Sequence, residues 1–354
     1  MTPMNFLDLF MPRRLSRTVA TFALGFAVSE SQIESIGSKL EEIRDRGVLN
    51  CGVDDGQHGF AEQDEETGEW TGFEADLCRA YAAAFLGDAE RVNFVPLTTV
   101  QRFDALVDGE VDMLIRNTSW TFSRDAEARV SFAGTYYYDG QGFLAPADLG
   151  VSSARELDGA RICVQPETTT ALNLIDYART FELDFVTVEV PTLGRALESY
   201  QGGACDAFTS DISTLAGFRA TLETPAEHVI LPDVISKEPL GPVVMSRDQK
   251  FPDAVRWVLH AIIAAEEYGV TAANAAELAE TSDNPNIRRL LGAEGPLGEG
   301  LGLDAQFALR AIETTGHYGE LFDRHLGRNS DLELRRGLNA QWSQGGLLYA
   351  PPFR

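Results

Sequence analysis

Basic residues are scarce in this sequence of 354 residues. Lysine and arginine together number 29, against 54 aspartate and glutamate residues, so the formal net charge is −25 at pH 7. A field of that sign repels the phosphates of nucleic acids and anionic membrane surfaces, and we therefore expect neither as a partner. An anionic small molecule is still possible, because a local arginine dominates the field inside a closed cleft.

A long apolar run is missing from the N-terminus as well. Residues 19–28 are apolar but too few to span a bilayer as a helix, which takes about 20 residues. They follow Arg13, Arg14 and Arg17 and precede the small residue Ser29. This order is typical of a secretory signal, so we predict a signal peptide at residues 1–29 and export of the protein. A disordered or amphipathic N-terminus is the alternative.

Cysteines are few, and none has the spacing of a zinc finger or a CxxC redox motif. Cys51 lies late in a predicted strand and Cys78 on the next helix, whereas Cys163 and Cys205 both lie in apolar strand contexts. Export permits disulfides. We predict the pairs Cys51–Cys78 and Cys163–Cys205, with four buried free thiols as the alternative.

Catalytic and metal-binding motifs are also lacking. The five histidines show no HExxH or HxH spacing, and no GxSxG occurs. The glycines of GEGLG at 298–302 have no preceding strand and no lysine, so they do not form a phosphate loop. We expect no cofactor and no metal.

What the sequence does contain is a repeated alternation of strand-length apolar runs and helical stripes. Strands at 48–53, 92–97 and 111–115 alternate with two helices, and a second set of the same kind runs from about 160 to 211. Such alternation predicts α/β architecture with parallel sheets. Both halves contain a helix, a glycine and a strand with an aspartate near its start, Asp112 in one and Asp206 in the other.

The two similar units predict two lobes. We assign residues 30–145 together with 241–354 to the first lobe and residues 146–240 to the second. A return crossing is predicted at 239–245, and helices at about 251–268, 272–281, 304–326 and 330–344. Hinges are expected near residues 144–145 and 240–241.

Polar clusters follow several predicted strands, where open α/β folds bind ligands. They are Asp54–Gln57, Arg116–Ser119 with Arg124, Glu167–Thr170, and Asp211. Arg124 suits a carboxylate, a helix N-terminus near Thr168 favours an anion, and Asp54 and Asp211 suit a cation. Together they complement a zwitterion. Singly, each residue reads equally well as a surface, cap or turn residue; Trp120 is either a ligand-stacking wall or core.

Longer motifs resemble the polar amino-acid solute-binding proteins of ABC transporters (family 3), and most of all the general L-amino-acid binding subunit. They are CGV at 51–53, WTGF at 70–73, GEVD at 109–112, RNT at 116–118, SRD at 123–125, YYDGQGF at 137–143, Gln165 with TTT at 168–170, ISKEPLGPV at 235–243, SDNP at 282–285 and YAPP at 349–352. The resemblance implies a two-lobed type II periplasmic binding-protein fold with a helical C-terminal extension.

The resemblance also implies roles for single residues. Arg124 is similar to the arginine that grips the ligand α-carboxylate, Thr169 to its partner, and Asp211 to the aspartate that takes the α-ammonium. Asn117 and Ser119 match other contacts of the first lobe. The full expected ligand-binding set is Asp54, Gln57, Arg116, Asn117, Thr118, Ser119, Arg124, Thr168, Thr169 and Asp211.

We therefore expect a periplasmic, monomeric receptor that binds L-amino acids broadly and delivers them to ABC permease subunits. The Pro166-Glu167 turn and His58 depart from the family pattern and bear on side-chain preference. The rival class is an enzyme, a cyclohexadienyl (arogenate or prephenate) dehydratase on the same fold, for which Glu167 is the one acid available. A sensor subunit is a third possibility.

Overall fold

The computed structural model describes residues 38–127, 129–248 and 250–354. The predicted signal peptide lies outside these residues. The strands are β1 Leu49–Asp54, β2 Glu62–Gln63, β3 Trp70–Thr71, β4 Val92–Leu97, β5 Met113–Leu114, β6 Val130–Phe132, β7 Tyr137–Asp139, β8 Gln141–Pro146, β9 Arg161–Val164, β10 Val186–Glu189, β11 Ala207–Asp211, β12 His228–Ile230, β13 Glu238–Leu240 and β14 Val243–Met245.

The α-helices are α1 Lys39–Arg46, α2 Phe73–Leu86, α3 Arg102–Asp108, α4 Phe122–Glu127, α5 Thr169–Phe181, α6 Leu193–Gln201, α7 Ile212–Ala220, α8 Lys250–Tyr268, α9 Ala275–Thr281, α10 Pro285–Leu290, α11 Phe307–Thr315 and α12 Tyr318–His325. Among the helices in the described part of the chain, none is both long and apolar enough to cross a membrane.

Two five-stranded sheets of the same topology form the two lobes, as the sequence predicted. Their strand orders are β4-β1-β5-β14-β6 and β10-β9-β11-β8-β12. In each sheet three strands are parallel and the last two run antiparallel to their neighbours. Because each parallel strand of both sheets ends in a polar residue or is followed by one within two positions, each lobe presents a polar edge.

The sequence similarity between the two halves has a structural cause. Asp112 precedes β5, and its carboxylate accepts the backbone N–H of Asn50 at 2.8 Å. Asp206 precedes β11 and accepts the N–H of Arg161, also at 2.8 Å. Each aspartate therefore holds the first of the three parallel strands in its sheet beside the third, β1 beside β5 and β9 beside β11. This sets the strand register in both lobes.

The chain crosses between the lobes at β7 and β13, which pair with each other. The motif YYDGQGF at 137–143 is divided at Gly140 between β7 and β8, and β8 pairs with β11 and β12 of the second sheet. Residues 144–145 are therefore inside a strand of the second sheet, although the sequence assigned them to the first lobe. A Cβ at Gly140 would lie 2.4 Å from Cγ1 of Val234, so only glycine fits this crossing.

Helix α2 is buried on nearly every face because it packs between the first sheet and the C-terminal helices α8, α11 and α12. Its entry depends on Gly72, which has φ 121° and leaves room for the Phe60 carbonyl, 2.2 Å from where a Cβ would be. The C-terminal helices thus belong to the core of the first lobe.

The C-terminal extension is less regular than the sequence predicted. The helix expected at 304–326 is divided into α11 and α12 at Gly316, and the helix expected at 330–344 is absent, with only two 3₁₀ turns there. Side chains of this segment bond instead to distant backbone: Asn339 to Tyr138, and Gln341 to the carbonyl of Ile263. Tertiary hydrogen bonds outweigh local helix propensity here.

Both predicted disulfides are present, Cys51–Cys78 and Cys163–Cys205. The first joins β1 to α2, and the second joins β9 to Cys205, two residues before β11, so each lies within one lobe. They close loops of 27 and 42 residues.

Removing a disulfide should destabilise its lobe. In the chain-entropy view each loop contributes about 3–4 kcal/mol to the free energy of unfolding. We expect the paired substitutions C51S/C78S and C163S/C205S each to lower that free energy by this amount in urea unfolding. If a reducing agent leaves wild-type stability unchanged, the prediction is wrong; the variant lacking both pairs is the control that should not respond to reduction.

His58 should make stability depend on pH. Its ring nitrogens each lie 2.9 Å from a carboxylate, of Glu62 and of Asp331. The hydrogen bond to Glu62 raises the pKa of His58 to about 9, with burial opposing and Asp331 adding to the effect. The stabilisation is therefore complete below pH 6.5 and lost as pH rises through about 9.

His58→Gln is expected to melt at a lower temperature than wild type at pH 6, and the gap should close by pH 9.5. Thermal melts across that range measure it. A gap that stays constant with pH would show that His58 acts by packing alone.

Candidate functional site

A polar cavity of about 30 Å³ lies where the carboxyl ends of the two sheets meet. Residues of both lobes line it: Asp54, Gln57, Thr99, Arg102, Arg116, Asn117, Ser119, Arg124, Gln165, Thr168, Thr169, Thr170, Leu193, Ser210, Asp211 and Thr214. Leu193 is the only apolar side chain among them. Such a wall suits a small, charged, hydrogen-bonding ligand.

Nine of the ten residues in the expected ligand-binding set line this cavity. The exception is Thr118, which is fully buried behind the wall, and its hydroxyl donates to the carbonyl of Arg116 at 2.7 Å. Trp120, for which a ligand-stacking role was open, stacks on Phe132 instead and is not among the lining residues. Both side chains support the wall.

Arg116 lines the cavity but is already neutralised. Its guanidinium lies 2.8 Å from a carboxylate oxygen of Asp54, and its Nε donates to the carbonyl of Leu97 at 2.7 Å. Both charged side chains are buried. The pair joins β1 to the ends of β4 and β5, so its first effect is to hold three strand ends together.

The backbone at Asn117 is held in an unusual conformation, with φ 38°. Its N–H donates to Glu74 at 2.7 Å, and the Tyr136 hydroxyl donates to the same carboxyl group. Burial raises the pKa of Glu74 to about 8. The buried Glu74–Tyr136 pair fixes the turn that carries the first lobe's cavity residues.

Arg124 extends from α4 into the cavity. One of its N–H groups donates to the carbonyl of Ser119 at 2.8 Å, and the guanidinium carbon lies 5.5 Å from the centre of the Phe103 ring. Among the described residues no carboxylate lies within 4.0 Å of it. Burial lowers its pKa, while Glu238 and Asp211 oppose that shift. Arg124 is thus a partly buried cation without a close counterion among the described residues.

Asp211, at the end of β11, is the corresponding anion of the second lobe. It is buried, and its Oδ1 has no hydrogen-bond partner in the part of the chain that the structure describes. Burial, and then the charges of Asp139 and Glu238, raise its pKa well above the ordinary value. It precedes α7 but its side chain does not cap that helix.

The N-terminus of α5 faces the cavity. Thr168 caps this helix by accepting the N–H of Ala171 at 3.1 Å, and the Thr169 hydroxyl donates to Glu238 at 2.9 Å. Orphan amides at a helix start attract anions. Glu167, in the preceding turn, has φ 57°, is exposed, and is not a lining residue.

The lobes are closed on each other in this structure. The Thr214 hydroxyl of the second lobe accepts from Gln57 Nε2 at 3.0 Å and from Asn117 Nδ2 at 2.9 Å, both of the first lobe. The two lobes also pack closely beside this contact. A Cβ on Gly217 of the second lobe would lie 2.7 Å from the carbonyl of His58 in the first.

Sequence reasoning missed several lining residues: Thr99, Arg102, Leu193, Ser210 and Thr214. Gln165 and Thr170 had entered through a family motif or a polar cluster but not in the expected ligand-binding set. Ser210 adjoins Asp211, so a wider window would have included it. Arg102 carried its own signal, since a cation in the first turn of a helix opposes the helix dipole. Leu193 and Thr214 reach the cavity only through lobe closure.

A two-lobed α/β protein with a charged, enclosed cavity between its lobes is a ligand-binding protein of the periplasmic binding-protein type. Residues 49–276 match the family described as bacterial extracellular solute-binding proteins, family 3. The chain belongs to that family.

Named relatives agree over nearly the whole chain. The glutamate/glutamine/aspartate/asparagine-binding protein BztA of Rhodobacter capsulatus is 52% identical, covering 90% of this chain and 94% of the relative. The general L-amino acid-binding periplasmic protein AapJ of Rhizobium johnstonii is 46% identical, covering 89% and 92%. A periplasmic binding protein from Brucella ovis, solved with glutathione bound, is 48% identical, has a TM-score of 0.87, and matches over 90% of this chain and 99% of its own.

The contact at Thr214 predicts how closure responds to mutation. Thr214→Val keeps the shape but leaves the amide groups of Gln57 and Asn117 without this acceptor in the closed form only. We expect the dissociation constant of a bound solute to rise roughly 5- to 100-fold by calorimetry, the range for an unsatisfied buried donor. Thr281→Val, on the exposed face of α9, is the matched control. Equal affinity in both variants would contradict a role for this contact.

Proposed function

We propose that this protein captures single L-amino acids outside the cytoplasm and delivers them to the membrane subunits of an ABC permease. The observation that carries the proposal is the pairing of Arg124 and Asp211, which come from different lobes and line one cavity. Asp211 is buried and Arg124 partly buried, and no described residue forms a close ion pair with either. An isolated buried charge is costly, so such a pair is expected only where a ligand supplies the opposite charges.

The α-carboxylate would lie against Arg124, whose planar fork bonds two oxygens at once. Ser119 and the amides at the start of α5 add donors from both lobes. The Thr169 hydroxyl donates to Glu238, so the backbone amide of Thr169 is the contact expected to reach the ligand. Asp211 would take the α-ammonium.

The ligand side chain would lie toward Asp54, Gln57 and Asn117. Because Asp54 is paired with Arg116, its carboxylate is not free to select a basic side chain strongly. A polar wall of this kind, which water can share, favours a broad set of amino acids over one. Within the expected set, Arg116 and Thr118 are proposed to support the site and not to bind the ligand.

Closure is proposed to bend the chain at Gly140 and Gly241. These lie where the crossing strands β7 and β13 meet the sheets, and a Cβ at Gly241 would lie 2.3 Å from the carbonyl of Gly134. The first lobe then comprises the described residues up to β7 and from Gly241 onward, with the second lobe between. Residues 1–29 are proposed to direct export to the periplasm, where the protein acts as a monomer.

The dehydratase alternative has less support. It depends on Glu167, which is exposed and outside the cavity-lining set. We infer a binding protein without catalytic activity; turnover of arogenate or prephenate would overturn this.

Glutathione is a second candidate ligand. A relative 48% identical was solved with it. A second cavity of about 170 Å³ adjoins the first and shares Gln57, Leu193 and Thr214 with it. Opening the contact at Thr214 would join the two, giving a γ-glutamyl peptide room beyond its amino-acid end.

A thermal-shift panel of the twenty amino acids and glutathione tests the proposal, because a ligand bound only by the folded state raises its melting temperature. We expect several L-amino acids to raise it. Arg124→Ala and Asp211→Asn should weaken binding roughly 100-fold or more by calorimetry, since each leaves a ligand charge buried and unpaired. Arg179→Ala, an exposed arginine on α5, is the control. Near-native affinity of Arg124→Ala for amino acids would contradict the proposed function.

A further inference from the structure

A side chain of the C-terminal extension holds the crossing strand β7. Asn339 lies beyond residues 49–276, which match the family, and is only 3% exposed. Its Oδ1 accepts the N–H of Tyr138 at 2.7 Å, and its Nδ2 donates to the carbonyl of the same residue at 3.1 Å. The carboxamide thus bonds to β7 as the backbone of a neighbouring strand would.

These two bonds are made at the open edge of β7. Among the described residues, β7 pairs only with β13, in a ribbon of two strands where Pro239 lies opposite Tyr138. The N–H and carbonyl of one strand residue point to the same side, so Asn339 occupies the side of β7 away from β13. A ribbon of two strands is marginally stable by itself. Asn339 therefore gives the ribbon an attachment that neither five-stranded sheet provides.

Asn339 is itself fixed to the first lobe. Its carbonyl accepts from Nε of Arg336 at 2.7 Å, and the guanidinium of Arg336 bonds to both carboxylate oxygens of Glu266 at 3.1 and 3.0 Å. Gln341 Nε2 donates to the carbonyl of Ile263 at 2.9 Å. Glu266 and Ile263 belong to α8, which lies in the core of the first lobe. The crossing strand is therefore tied to the first lobe through α8.

The residue after Tyr138 is tied to the other lobe. Asp139 accepts the N–H of Ser213, in the first turn of α7, at 3.2 Å. The same helix carries Thr214, which makes the contact between the closed lobes. The attachments to the two lobes are thus one residue apart, and Gly140 follows. This spacing confines a bend of the chain to the few residues around Gly140.

We infer that Asn339 is a positioning residue for closure of the lobes: it keeps β7 on the first lobe, so that the chain bends at Gly140 and the lobes meet in one arrangement. This inference rests on the proposed function and gives the C-terminal extension a part in it. Without Asn339 the ribbon bends over more residues, and the arrangement that binds ligand becomes a smaller fraction of the molecules. The apparent dissociation constant rises as that fraction falls. Asn339 does not line the cavity, so the rise is the same for every ligand.

Calorimetry with L-glutamate, L-glutamine and L-alanine tests the inference, because the three side chains differ in charge and size. We expect Asn339→Ala to weaken the binding of each by the same factor, about 5- to 50-fold, the range for two lost hydrogen bonds. Asn339→Asp keeps the acceptor for the Tyr138 N–H and should show the same pattern with a smaller loss; this variant serves where Asn339→Ala does not fold. Asn329→Ala, at an exposed asparagine of the same extension, is the control and should match the wild type.

A distance measurement shows whether the hinge itself has changed. Spin labels at Asp104→Cys on α3 and Arg179→Cys on α5 report the separation of the lobes, since both residues are exposed. In the ligand-free protein, pulsed electron paramagnetic resonance should give a broader distance distribution for Asn339→Ala than for the wild type. Saturating L-glutamate should narrow the distribution in both.

A purely structural role of Asn339 predicts something different. Asn339→Ala would then melt at a lower temperature, but its affinities and its distance distribution would match the wild type; that result overturns the inference. A loss that differs severalfold between the three amino acids also overturns it, because Asn339 would then act on the ligand side chain. Absence of binding of every amino acid by the wild type would instead overturn the proposed function, and the ligand-free distances would still test the hinge.

Discussion

The structure depends on one buried and one partly buried charge that have no close counterion among the described residues. Arg124 and Asp211 come from different lobes and meet in one small polar cavity, where burial penalises the charged form of each. Removing an ion from water costs several kcal/mol unless an opposite charge replaces the solvent. A solute with both charges removes that penalty only when the lobes are closed. Recognition and closure are therefore expected to be one event, and the remaining architecture holds the two charges in position.

Much of that architecture neutralises charges, or fixes backbone segments, that the ligand is not expected to contact. The Arg116–Asp54 pair joins three strand ends, and Glu74 with Tyr136 fixes the turn at Asn117. Each disulfide lies within one lobe and the C-terminal helices pack on the first, whereas the chain crosses between the lobes at β7 and β13, where the hinge is proposed. Rigid lobes and a narrow crossing suit a hinge motion, because strain is confined to a few residues.

Local sequence patterns predicted the helices and strands well, because the periodicity of apolar residues and the glycines that end helices depend on near neighbours. These patterns failed where contacts between residues distant in sequence determine the structure. The segment 330–344 has helical composition, but Asn339 and Gln341 bond to remote backbone and no long helix forms. Residues 141–146 directly follow the crossing strand β7 in the sequence, but beyond Gly140 they pair in the second sheet. Trp120 and Thr118 are near the site in sequence, yet neither lines the cavity. Trp120 is exposed and stacks on Phe132, and Thr118 is buried and bonds to the carbonyl of Arg116.

The sequence by itself determined the two α/β units, the cysteine pairs and most of the polar residues at the strand ends, because these follow from periodicity and from motifs within short windows. Only the tertiary structure decided which arginine has a counterion. Arg102, Arg116 and Arg124 lie in one stretch of the sequence, residues 102 to 124, and no local pattern shows which of them has a counterion. The fold brings Asp54 to Arg116, and no carboxylate of the described residues lies within 4.0 Å of the other two, because side-chain pairing depends on how strand ends converge in space.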